Sequence, residues 1–200
     1  MARPRNFDET AVLDAVAAEF RVHGYADTST EQLCEAAGVR RSSLYNAFTS
    51  KDELFVRALE HYAATMRARQ EAILTDGSLD GATRLRRLVD AIVDEERAAR
   101  DRGHAAGCMG VHTLMTPDLR ARDPRIPRIL ERDLRERLGM MADVIRAGRV
   151  DGSVPEGPDP RDGALLVNTV ISGIRVTAQN GVEPDALRRI ALDGLRSLLP

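Results

Sequence analysis

The stretch from Thr30 to Phe48, TEQLCEAAGVRRSSLYNAF, is compatible with few folds. Two short runs patterned for helix meet at Gly38. When two helices join steeply through a short corner, one residue must take a positive φ, and glycine does so without steric cost. The apolar residues fall at the offsets such a corner needs: Leu33 and Ala37 before it, Val39 in it, Leu44 and Ala47 after it. Cys34 supplies the small side chain where the helices cross. The spacing predicts helices over about 30–37 and 41–47, with Ser29 or Thr30 as the first cap. Arg40, Arg41, Ser42, Ser43, Tyr45 and Asn46 are left on the outside of the second helix. These are short or forked donors, suited to phosphates and base edges.

The flanks continue the helical pattern. Residues 9–22 place Val12, Leu13, Val16, Ala17 and Phe20 on one face, between an Asp8 cap and a stop at Gly24. Ser50 and Glu53 form a capping-box pair that opens a long helix to about Leu74. Further helices are predicted over about 80–100 and 125–148, then 160–180 and 184–198. A short apolar segment lies at about 105–115. Residues 151–160 read as a loop. No alternating strand pattern interrupts them, so the fold class is all-α, with about nine helices. The organisation expected is an N-terminal unit over 1–50 and a larger helical unit over 51–200.

Composition narrows the function. The formal net charge is −2. Residues 1–67 carry ten acidic and eight basic side chains, so nucleic-acid binding here requires local positive charge. Lys51 is the only lysine, and aromatics make up 4% of the chain. No apolar run reaches the ~18 residues of a membrane span, and the basic Met1-Ala2-Arg3-Pro4-Arg5 lacks a signal core. Two cysteines are too few for a disulfide framework, which fits a cytoplasmic protein. There is no phosphate loop, nucleophile turn or carboxylate pair in an apolar setting, so no enzyme and no cofactor are expected. His104, Cys108 and His112 are spaced by four, but eight helical residues rise ~12 Å. That is too far for ligands ~2 Å from one ion, and no metal site is assigned.

Residues 9–55 resemble the DNA-binding domain of the TetR family of regulators, whose motif runs roughly T-x-x-x-I/L-A-x-x-A-G-V-S-x-G-x-L-Y-x-Y-F-x-S-K-E-x-L. The match is carried by Thr30, Leu33, Ala37, Gly38, Val39, Leu44, Tyr45, Phe48, Ser50, Lys51 and Leu54. Cys34, Arg40, Ser42 and Ala47 depart from it. The resemblance covers about a quarter of the chain and implies a homodimer on a double-stranded DNA operator. It assigns DNA contacts to Thr30, Arg41, Ser42, Tyr45, Asn46 and Lys51, beside the outward Arg40. Arg41 fits either a bidentate contact to guanine or a solvated surface arginine. Arg3 and Arg5 suit a flexible arm along the backbone.

The resemblance also implies that the later helices form an effector pocket, with Met66, Ile92, Met115, Leu138 and Met141 as candidate walls, and that the last two helices pair with a second subunit. Leu166, Val170, Gly173, Ile174, Leu187, Ile190 and Leu195 are the expected interface. The effector is a small molecule of unknown identity. Ala106-Gly107-Cys108-Met109-Gly110-Val111 is similar to a Gly-Cys stretch in family members that respond to electrophiles or oxidants. Cys108 therefore reads either as a sensor thiol or as a small core residue. A helical interaction module without DNA binding is the remaining alternative.

Overall fold

The computed structural model describes residues 8–102 and 107–200, which form ten α-helices and no strand. Arg3, Arg5 and His104 lie outside the described residues. The chain divides into two compact units, Met1–Thr65 with Cys108–Glu131, and Met66–Gly107 with Arg132–Pro200. This division differs from a cut at residue 50, because a later segment packs with the first helices.

The first unit begins with α1 (Glu9–Asp27), capped by the Asp8 carboxylate, which accepts from the Thr10 N–H at 2.9 Å. At Gly24 the backbone leaves helical geometry, with φ 75° and ψ 175°, so the first helical run ends at the predicted stop and a short second run continues α1 to Asp27 beyond the kink. The Thr28 hydroxyl donates to the Gly24 carbonyl and closes the bend. Next come α2 (Thr30–Ala36) and α3 (Arg41–Ala47), joined through Gly38 at φ 63°. The start of α4 (Lys51–Leu74) completes the three-helix arrangement. Its core combines Val12, Val16, Leu33, Leu44 and Leu59 with an aromatic cluster. Phe20 meets Phe55 edge-on at 5.0 Å between ring centroids, and Tyr25 meets Phe55 at 5.2 Å. Two short helices, α6 (Met109–Leu114) and α7 (Pro117–Arg122), belong to this unit. The His112 ring lies where a side chain on Gly24 would project, only 2.6 Å from an added Cβ. Pro117, whose missing N–H is harmless in a first turn, starts α7, a helix absent from those predicted.

The second unit contains α5 (Gly81–Asp101), α9 (Pro160–Ala178) and α10 (Pro184–Gly194), with the later part of α8 (Arg125–Val150). Leu85, Leu88, Val89, Ile92 and Val93 of α5 pack with Met141 and Ile145 of α8, and with Val167 and Ile171 of α9. Glycines let α5 and α8 cross closely: a Cβ on Gly81 would stand 2.4 Å from the Gly148 Cα. A charge is buried in this unit. Arg175, 4% exposed, donates to Glu96 at 2.7 Å and Glu95 at 2.5 Å, joining α9 to α5.

Candidate nucleic-acid interface

Local capping sets the geometry of the α2–α3–α4 corner. Ser29 accepts from the Gln32 N–H at 3.2 Å, while the Gln32 side chain accepts from the Ser29 N–H at 2.7 Å. Ser50 likewise accepts from the Glu53 N–H at 3.0 Å and fixes the start of α4. These caps bring three of the expected residues together. The Thr30 and Tyr45 hydroxyls share a hydrogen bond of 3.0 Å. Lys51 joins them in lining one shallow crevice with Leu33, Leu44, Phe48 and Leu54.

Arg40, Arg41, Ser42 and Asn46 are exposed along α3. Arg41 donates to Glu31 at 2.8 Å, and its guanidinium lies 5.7 Å from the Tyr45 ring centroid. An exposed pair of this kind contributes little, so Arg41 can exchange Glu31 for a stronger acceptor. Cys34 is half-buried; burial first, then Glu31, pushes its thiol pKa up and keeps it protonated. That agrees with a packing role.

The sequence reading missed Tyr25. The bend at Gly24 turns its ring beneath Lys51, whose ammonium sits 4.4 Å from the ring centroid. The Tyr25 hydroxyl donates to Asp52, and burial followed by that bond pushes its pKa up to about 12. Burial is also the main cause lowering the Lys51 pKa. The usable signal was the aromatic directly after the glycine at which the first helical run ends.

The structure corrects several of the other expected sites. Ile174, Leu187 and Leu195 turn into the core of their own unit, so they cannot be presented to another subunit. Leu166 and Val170 are half-buried at that core's edge. Gly173 faces outward in line with Leu165, Thr169 and Val176, and Ile190 of α10 is 70% exposed. Of the candidate pocket walls, Ile92 and Met141 are buried, while Leu138 and Met66 are half-buried. Met115 differs from these four. It caps the end of α6 and is 77% exposed. Cys108 is half-buried at the N-cap of α6.

Residues 12–58 match the family model described as bacterial regulatory proteins of the tetR family. The HTH-type transcriptional repressor ComR of Escherichia coli is 29% identical, over 97% of this chain and 90% of its own. The TetR family regulator CifR, solved as a cysteine mutant with 26-bp double-strand operator DNA, is also 29% identical. It superposes with a TM-score of 0.78, covering 98% of this chain and 99% of its own.

This chain carries the DNA-binding region of the TetR family.

It is therefore a DNA-binding transcriptional regulator. The TetR fold extends to the reduced form of E. coli NemR, at a TM-score of 0.81 and 17% identity over 96% of this chain and 98% of that one. Among the described residues no helix is long and apolar enough to cross a membrane.

Proposed function

We propose that this TetR-family regulator is a homodimeric repressor that binds a palindromic duplex operator and is released by a small-molecule effector. The observation that carries the reading is the convergence of Thr30, Tyr45 and Lys51 beside the exposed donors of α3. Reading two half-sites requires two copies of that face about one helical turn apart. The uncharged outward line Leu165, Thr169, Gly173 and Val176, with Ile190, suits the pairing surface. ComR is named a repressor, and CifR was solved on operator DNA. Sedimentation of the purified protein, with gel shift on the DNA upstream of its own gene, tests the proposal. A dimer that shifts a palindromic fragment is the expected result. A monomer at micromolar concentration that shifts no upstream fragment would refute it.

A second reading places the release signal at Cys108. Cys108 stands at the N-cap position of α6, its thiol making no capping hydrogen bond, and α6 packs on α1 beside the Gly24 bend. An adduct or sulfenate at Cys108 alters that packing. Coupling of ~1–3 kcal/mol suffices to change affinity about 5–150-fold. The comparison is operator release from wild type and Cys108→Ser under one electrophile or mild oxidant. Release confined to wild type is expected; equal release from both returns Cys108 to a packing role.

A further inference from the structure

The acidic excess of residues 1–67 leaves the DNA-facing unit short of positive charge, and much of what it has is already engaged. Arg57 pairs with Glu9 and Arg41 with Glu31. Arg125 is held by both Asp123 and Glu53, at 2.7 and 2.6 Å. Arg122, at the end of α7, differs from these. Its guanidinium stacks on Tyr25, 5.1 Å from the centroid of the ring that carries Lys51 at 4.4 Å. Among the described residues its one ion pair, to Asp52, spans 3.6 Å, which is longer than a hydrogen bond. The Asp52 carboxylate is itself occupied by the Tyr25 hydroxyl. The Arg122 side chain is 52% exposed, so its forked donors remain available.

We propose that Arg122 is a second phosphate-binding residue, which forms with Lys51 a two-cation clamp on the operator backbone, assembled on the ring of Tyr25. The inference rests on the reading that the α3 face docks on duplex DNA. Two cations stacked on one ring repel each other. A phosphate oxygen accepting from both converts that repulsion into attraction. After burial, Arg122 is the next largest influence lowering the Lys51 pKa, the electrostatic counterpart of two cations sharing one ring. The charge that the N-terminal sequence lacks is thus supplied from about seventy residues further along the chain, by a helix of the same compact unit.

The test is the salt dependence of binding to a random-sequence duplex of 26 base pairs, which reads phosphate contacts without knowledge of the operator. Each lost contact reduces the slope of log K against log salt by ~0.9, so R122Q in a dimer should lose about two and weaken all sequences alike. R122K, which keeps the charge, should restore the slope. A purely structural strut predicts instead a lowered melting temperature with the slope unmoved, and that result would overturn the clamp. D52N gives an answer even if R122Q does not fold. Freeing Arg122 from its carboxylate should tighten binding, whereas unchanged or weaker binding counts against the proposal. If wild type fails to bind the duplex at low salt, the operator reading itself fails. If wild type binds and R122Q keeps its slope, only the clamp fails.

Discussion

All three tyrosines and four phenylalanines fall within the first 62 residues, whereas the second compact unit is packed without an aromatic side chain. The contrast follows from what each unit must do with its size. A few short helices around a sharp corner enclose little volume, and one ring covers ~150–250 Å² that several small residues would otherwise have to supply. Phe20, Phe55 and Phe48 meet that need, and Tyr25 extends the ring cluster toward the surface. The second unit has longer helices with broad aliphatic faces. Leucine, isoleucine and valine suffice there, and the single orientation of α9 against α5 is marked by the buried Arg175 pair instead. One unit is specified by ring geometry and the other by charge geometry.

The first prediction tests the ring side of that contrast. Phe20→Ala should destabilise the protein by ~3–5 kcal/mol, measured by urea unfolding, with duplex binding lost at denaturant concentrations that wild type tolerates. A loss below ~1 kcal/mol would mean the cluster is not the first unit's keystone. The charge side is tested by Arg175→Ala, which leaves Glu96 buried without that partner and should cost ~3–5 kcal/mol. Combining Arg175→Met with Glu96→Leu should recover much of this, because an apolar pair of similar volume avoids desolvation altogether. If the double variant is no better than the single one, the ion pair contributes more than orientation.

Smaller effects sharpen the comparison at the DNA face. Arg41→Ala should cost ~1–3 kcal/mol on the operator and relax preference at one base position. Uniform weakening, with base preference intact, would make Arg41 a phosphate contact. Tyr45→Phe should have the least effect, since it removes one neutral hydroxyl from the Thr30 bridge. A modest, sequence-independent loss with almost no change in salt slope is the outcome to look for in titrations across salt.

What could be read in the sequence follows the same division. Corners and caps are local, so Ser29 or Thr30, Gly38, and Ser50 with Glu53 placed α2, α3 and α4 to within a residue. Long-range partners are not local. Periodicity showed α9 as apolar but could not report that Arg175 finds carboxylates about eighty positions earlier. A helix apolar around most of its circumference also conceals which side faces its own core. For that reason Ile174, Leu187 and Leu195 were expected outside and lie inside. Arg122 escaped notice because Pro117 and Pro124 mark the edges of what reads as a loop, and only the folded α7 brings that side chain to Tyr25.

The stacking of Lys51 on Tyr25 has a chemical consequence, because no other residue in the chain carries a side-chain amine. Acylating reagents react with the neutral amine, and the depressed pKa of Lys51 raises that fraction above what an ordinary surface lysine offers. Covalent modification of lysine is therefore single-sited here and lands in the crevice beside Thr30 and Tyr45. Under the proposed operator contact its rate becomes a footprint: the ammonium would be shielded while a duplex occupies the crevice and uncovered when the duplex leaves. A peptide mass shift at one position would then follow occupancy of this regulator over time, on any DNA and with any effector.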